Sequence, residues 1–124
     1  MKIKTSELTG AALDWAVAKC EGINIEIQKS LDGTIFLLNT SDGVYATGYS
    51  TAWAQGGPII EREVHTLIER DGKWMAEVFQ PKYPNPNRFC YASSNGQTPL
   101  IAAMRCYVAS KLGDKIEIPN EIGD

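Results

Sequence analysis

The sequence predicts an α+β domain in which a mostly antiparallel sheet carries two helices packed on one face. Three observations predict it. Short runs alternate apolar and polar residues and are separated by Asp-Gly pairs; two stretches repeat apolar residues at helical spacing between a threonine and a glycine; and the length, 124 residues, suffices for one core but leaves two halves marginal. A single domain over residues 1–124 is therefore expected. With 44% hydrophobic and 22% charged residues, the composition excludes disorder and a coiled-coil rod.

Met1 to Thr5 reads as a short edge strand, and Thr9 is placed to cap a helix ending near Glu21, with Gly22 as its left-handed stop. Leu13, Ala16, Val17 and Cys20 form its apolar stripe, leaving Asp14, Lys19 and Glu21 in or near water. Ile23, Ile25 and Ile27 alternate with polar residues, which predicts a half-buried strand. The Asp32-Gly33 turn returns the chain through Thr34 to Leu38, and Asp42-Gly43 repeats the device before Val44 to Tyr49. Gly48 to Pro58 is rich in small and turn-forming residues and predicts an irregular connection or a short helical turn. His65 to Arg70 and Lys73 to Phe79, flanking Asp71-Gly72, predict another hairpin. Prolines and asparagines then predict a long loop at about 80–97. Thr98 as N-cap, Pro99 at the first helical position and Gly113 at the end bound the second helix, with Ile101, Met104, Val108 and Leu112 as its stripe and Leu100 and Ala103 beside it. Lys115 to Ile118 adds a last strand before an acidic tail.

The opening MKIKTSELTG lacks the apolar run of a secretory signal, and no stretch approaches the roughly 20 apolar residues of a membrane span. A cytoplasmic protein with no membrane partner is expected. Cys20, Cys90 and Cys106 form no CxxC pair and meet a single histidine, so neither a disulfide framework, a metal site nor another cofactor is predicted. His65 lies on a strand flanked by Val64 and Thr66 and reads as a structural histidine; Glu61 and Glu63, two apart, read as a solvated strand edge. No GxSxG, HExxH or catalytic cysteine signature occurs, so a non-enzymatic binding protein is expected.

Charge is unevenly spread. Between Glu77 and Asp114 the chain has no acid but carries Lys82, Arg88, Arg105 and Lys111, a segment of +4 within a protein of net charge -3. Such asymmetry suggests a local anion-attracting surface, against the competing reading that Arg105 pairs with a strand carboxylate and the lysines are solvated. Upstream, VYATGYSTAWAQGGPII from Val44 to Ile60 holds no charged side chain but offers rings, hydroxyls, an amide and open backbone. Tyr45, Tyr49, Ser50, Thr51, Trp53, Gln55, Gly56 and Gly57 are the candidate ligand-binding residues of this segment, and Arg88 and Arg105 those of the basic one. Trp53 or a tyrosine would stack a ring, Gln55, Gly56 and Gly57 would bond its edge or ribose, and the arginines would meet phosphate. Ordinary core packing of Trp53 and the tyrosines is the alternative.

Three blocks carry a family resemblance: KTSELTGAALDWAVAKCEG at Lys4 to Gly22, STAWAQGGPIIERE at Ser50 to Glu63, and TPLIAAMRCYVASKLGD at Thr98 to Asp114. Their order resembles the NinX-like family of small proteins from lambdoid phages and prophages. Two features depart from the family pattern: Ala52 stands where an aspartate usually precedes the tryptophan, and Pro81 to Gln97 is expanded. The resemblance implies a nonessential phage accessory protein working in a bacterial cytoplasm, with no established reaction. The functional expectation is sequestration of a small anionic, nucleotide-like molecule, such as a host immune signal, by a protein that counters host defence. The alternative is a protein-binding module that inhibits a host factor through Tyr83, Phe89 and Tyr91 on the 80–97 loop. A net charge of -3 argues against duplex nucleic acid as partner and lowers the odds of a weak single-strand binder. A homo-oligomer is expected too, because so small a domain has little interior to spare for a pocket.

Overall fold

Thr98 and Pro99 start the longest helix as the sequence predicts: the Thr98 backbone is extended and its hydroxyl oxygen accepts a hydrogen bond from the Ile101 N–H at 3.1 Å. The computed structural model describes residues 1–41, 43–82 and 85–122, with the backbone alone over 80–91. Its strands are β1 (Lys2–Lys4), β2 (Ile25–Lys29), β3 (Ile35–Asn39), β4 (Tyr45–Ala46), β5 (Thr66–Arg70), β6 (Lys73–Lys82), β7 (Asn85–Gly96) and β8 (Lys115–Glu117). The helices are α1 (Gly10–Glu21), α2 (Trp53–Glu63) and α3 (Pro99–Leu112), with a short 3-10 turn at Thr5–Glu7.

The α+β class stands, but its arrangement differs from the expectation of one sheet with two helices on a face. Among the described residues there are three helices and three small antiparallel sheets, ordered β1-β8, β2-β3-β4 and β5-β6-β7. α3 packs on β6 and β7 while α1, α2 and the 3-10 turn also contact it, so it is a central helix. Leu100, Ala102, Ala103, Met104, Cys106, Tyr107 and Val108 are all buried, and Leu112, expected on the stripe, is 42% exposed. A helix covered on several sides needs apolar residues all round. Leu8, Leu13, Val17, Val78 and Ile118 complete the core around it.

Two expected irregular segments are regular. The Gly48 to Pro58 connection ends in α2, which runs through Gly56, Gly57 and Pro58. Pro58 leaves the carbonyl four residues earlier, on Ala54, without its helical N–H, but both residues are exposed, so that carbonyl is not orphaned in the core. The 80–97 segment is mostly the outer strand β7, paired from Gly96 opposite Trp74 to Asn85 opposite Lys82. Prolines survive here because β7 is an edge strand, and because β5 reaches along β6 only as far as Glu77, so Pro81 has no neighbour on that side. β4 is shorter than expected, and Asp42 of the second predicted turn lies outside the described residues.

Candidate functional site

The uncharged segment folds upon itself. After β4 the chain turns at Tyr49 and Ser50, both buried, and enters α2. The Ser50 N–H donates to Oδ1 of Asp14 at 2.8 Å, which corrects the expected solvation of Asp14: this carboxylate is only 7% exposed. Burial pushes its pKa above the ordinary value, opposed by the hydrogen bonds from Ser50. Gln55 is occupied at both ends, accepting from the Gly48 N–H at 2.8 Å and donating to the Ala46 carbonyl at 3.0 Å. The Tyr45 hydroxyl accepts from Nδ2 of Asn39 at 2.6 Å. Gly56 is buried where a β-carbon would press on the Tyr49 carbonyl oxygen and come within 2.6 Å of Leu100 Cδ2; this glycine permits α2 to approach α3. Trp53 is 55% exposed on the first turn of α2, so core packing does not describe it. Gly57 stands beside its ring, and Thr51 is exposed with its hydroxyl turned to the Gly48 carbonyl.

Arg105 lies elsewhere. Leu100 faces Gly56, and a residue five positions on points about 140° away around the helix. Arg105 accordingly meets other elements: its Nε donates to the Leu8 carbonyl at 2.6 Å and one terminal nitrogen to the Asn95 carbonyl at 2.9 Å. The predicted partnership of this arginine with a strand carboxylate does not occur among the described residues. Partial burial pulls its pKa below the ordinary guanidinium value. The side chains of Arg88 and of the expected anchors Phe89 and Tyr91, like all of Tyr83, lie outside the described residues.

Around Arg105 opens a cleft of about 500 Å³ lined by Ser6, Thr9, Lys73, the run Ser93–Gln97 and Ile101, with no acidic side chain among the described residues. An adjoining groove shares Lys73 and Asn95 with it and brings Arg70 and Trp74. Sequence reasoning missed these residues. Arg70 and Lys73 flank Asp71-Gly72, which read only as a turn, and the serines fell in the supposed loop. The cleft's donors, a fixed guanidinium, an ammonium, hydroxyls and amides, can bind an anion but include no nucleophile beside a base.

The other titratable groups are structural. The Tyr107 hydroxyl donates to Glu21 Oε2 at 2.5 Å, Arg62 reaches the same oxygen at 2.6 Å and Glu63 at 2.8 Å, and Lys111 meets Glu63 at 3.4 Å. Glu63 thus belongs to the last turn of α2 and to an ion-pair brace, rather than to a strand edge, with Arg62 holding its pKa down. His65 accepts the Phe79 N–H on Nδ1 at 3.1 Å, a structural role. Burial pushes the thiols of Cys20 and Cys106 up to about 12, which keeps both protonated at neutral pH. Among the described residues no group of three or more His, Cys, Asp or Glu side chains is placed to hold a metal, and no helix is long and apolar enough to cross a membrane.

Comparison with curated proteins finds no match. The model of the family described as bacteriophage P22 NinX matches residues 4–111, which include α1, α2, all but the last residue of α3, the Arg105 cleft, the first two sequence blocks and most of the third. On that match the chain belongs to the NinX family of bacteriophage P22.

Proposed function

We propose that this phage-family protein binds a small phosphate-bearing, nucleotide-like anion in the Arg105 cleft without turning it over, and acts by sequestering it in the host cytoplasm. The observation that carries the reading is Arg105: a partly buried guanidinium, oriented by two backbone carbonyls and facing no carboxylate in its cleft. Backbone carbonyls fix the fork but do not neutralise it, so an arriving phosphate gains a charge-assisted, preoriented donor. Lys73 adds a second cation, and the Ser93, Ser94 and Asn95 groups add directed hydrogen bonds. The binding role first assigned to Tyr49, Gln55 and Gly56 receives no support from their internal partnerships.

The test is a panel of mononucleotides, cyclic nucleotides and ADP-ribose derivatives, read by thermal shift and by recovery of intact ligand after denaturation. Stabilisation with intact ligand is expected. Arg105→Ala and the surface variant Lys73→Ala should each weaken binding by about 1 to 3 kcal/mol. Unchanged affinity in Lys73→Ala, which leaves the Leu8 and Asn95 carbonyls satisfied, would remove the cleft from the account. A second reading, a module that docks on a host protein, is favoured by the exposure of Trp53 and of Val44 at 73%. A silent ligand panel together with a host protein captured by wild type and lost with Trp53→Ala would move the function there.

A further inference from the structure

The cleft does not end at Arg105. It shares Lys73 and Asn95 with the Trp74 groove on one side, and Ser6, Ser93 and Ser94 with a second groove on the other. That second groove contains Lys4 and Lys115, and both lysines also line a third, where Lys2 joins them. Six cations, Arg70, Lys73, Arg105, Lys4, Lys115 and Lys2, therefore follow one linked depression, against the two carboxylates of Glu7 and Asp114. None of the six forms an ion pair among the described residues, whereas Arg62 and Lys111 on the far side of α3 are both paired.

The β1-β8 sheet concentrates positive charge at one end of this depression. Its register sets Lys4 directly opposite Lys115, both exposed. Like charges directly opposite across an antiparallel pair oppose its formation; in this sheet Lys2 opposite Glu117, Ile3 opposite Ile116 and the ion pair of the N-terminus with Glu117 at 3.1 Å offset them. A polyanion lying over the pair turns that repulsion into binding. Trp74, half-buried beside Arg70 and Lys73, offers a ring at the other end of the depression. An acidic peptide has no use for a stacking platform, but an unpaired base does.

Resting on the reading that the Arg105 cleft takes a phosphate, we propose that the linked depression also takes a single-stranded nucleic acid whose phosphates run from Arg70 and Lys73 past Arg105 to Lys4 and Lys115, with a base against Trp74. The overall negative charge does not oppose this, because most carboxylates lie outside the depression.

Fluorescence anisotropy with labelled oligothymidylates of about 4 and about 16 nucleotides tests it, since these bracket common single-strand site sizes. Affinity should rise with length and fall steeply with salt. Lys115→Ala should lower affinity for the longer strand about fivefold and reduce its salt slope by about 1 while leaving thymidine monophosphate binding unchanged. The same variant should melt no lower than wild type, because it relieves the Lys4 repulsion; a merely structural lysine would not combine those effects. Equal affinity for both lengths, wild-type behaviour of Lys115→Ala, or equal competition by poly-glutamate, an abasic strand or duplex DNA overturns the proposal. If thymidine monophosphate binds in an Arg105-dependent way and length has no effect, the track fails and the cleft stands. If neither mononucleotide nor strand binds, both fall.

Discussion

At the scale of single residues, the most consequential correction concerns Asp14. Helical spacing put it beside Lys19 on the wet side of α1, but the Ser50 turn covers it, a contact between residues 36 apart that no local pattern encodes. Burial raises its pKa above 3.8, so the native state holds this proton more tightly than the unfolded chain does. Its contribution to stability is then full below about 3.8 and is lost as pH rises through the higher folded value. Asp14→Asn keeps an oxygen for the Ser50 N–H and removes the titration. In urea melts the variant should gain on wild type between pH 4 and pH 7; a constant difference across that range would rule the titration out. Arg105 teaches the same lesson. Its charge was legible in the sequence and its isolation from acids along the chain was too, but its partners, Leu8 and Asn95, arrive from both ends of the fold.

Among the elements, those with strong local punctuation were legible: α1 between Thr9 and Gly22, although the Thr9 side chain makes no capping hydrogen bond, α3 between Thr98 and Gly113, and the hairpins at Asp32-Gly33 and Asp71-Gly72. α2 was not, because two glycines and a proline have low helix propensity and only tertiary contact explains them. This gives a paired prediction. Gly56→Ala should destabilise by about 1 to 3 kcal/mol in urea unfolding, since its β-carbon meets the Tyr49 backbone and Leu100. Gly57→Ala meets only the Trp53 ring, at 3.7 Å, and should be neutral or stabilise by up to about 1 kcal/mol. Equal gains in both would mean that helix propensity rather than close approach governs α2, and equal losses would remove the distinction drawn between the two sites. β7 escaped sequence reading for a related reason: its prolines are tolerated only because it forms an edge.

For the whole molecule, charge is segregated in three dimensions more than along the chain. The basic segment identified in sequence is split, with Lys111 joining the Glu63 brace and Arg105 turning to the cleft, while Lys2, Lys4, Lys73 and Lys115 from acid-bearing stretches complete the cationic side. A protein with pI near 5.1 should accordingly be retained at pH 7 and low salt on heparin as well as on an anion exchanger. Lys4→Ala with Lys115→Ala should abolish heparin retention alone; retention that survives both changes would mean the cations act independently of the groove.

One feature of the topology bears on when this surface exists. Ile3 pairs with Ile116, so β1 waits through synthesis of every helix before its partner is made. A chain made from its N-terminus has Lys4 long before Lys115, and the groove they share is unformed until β8 pairs with β1. The groove is thus among the last surfaces of the molecule to form, and any change that unpairs β1 from β8 removes it.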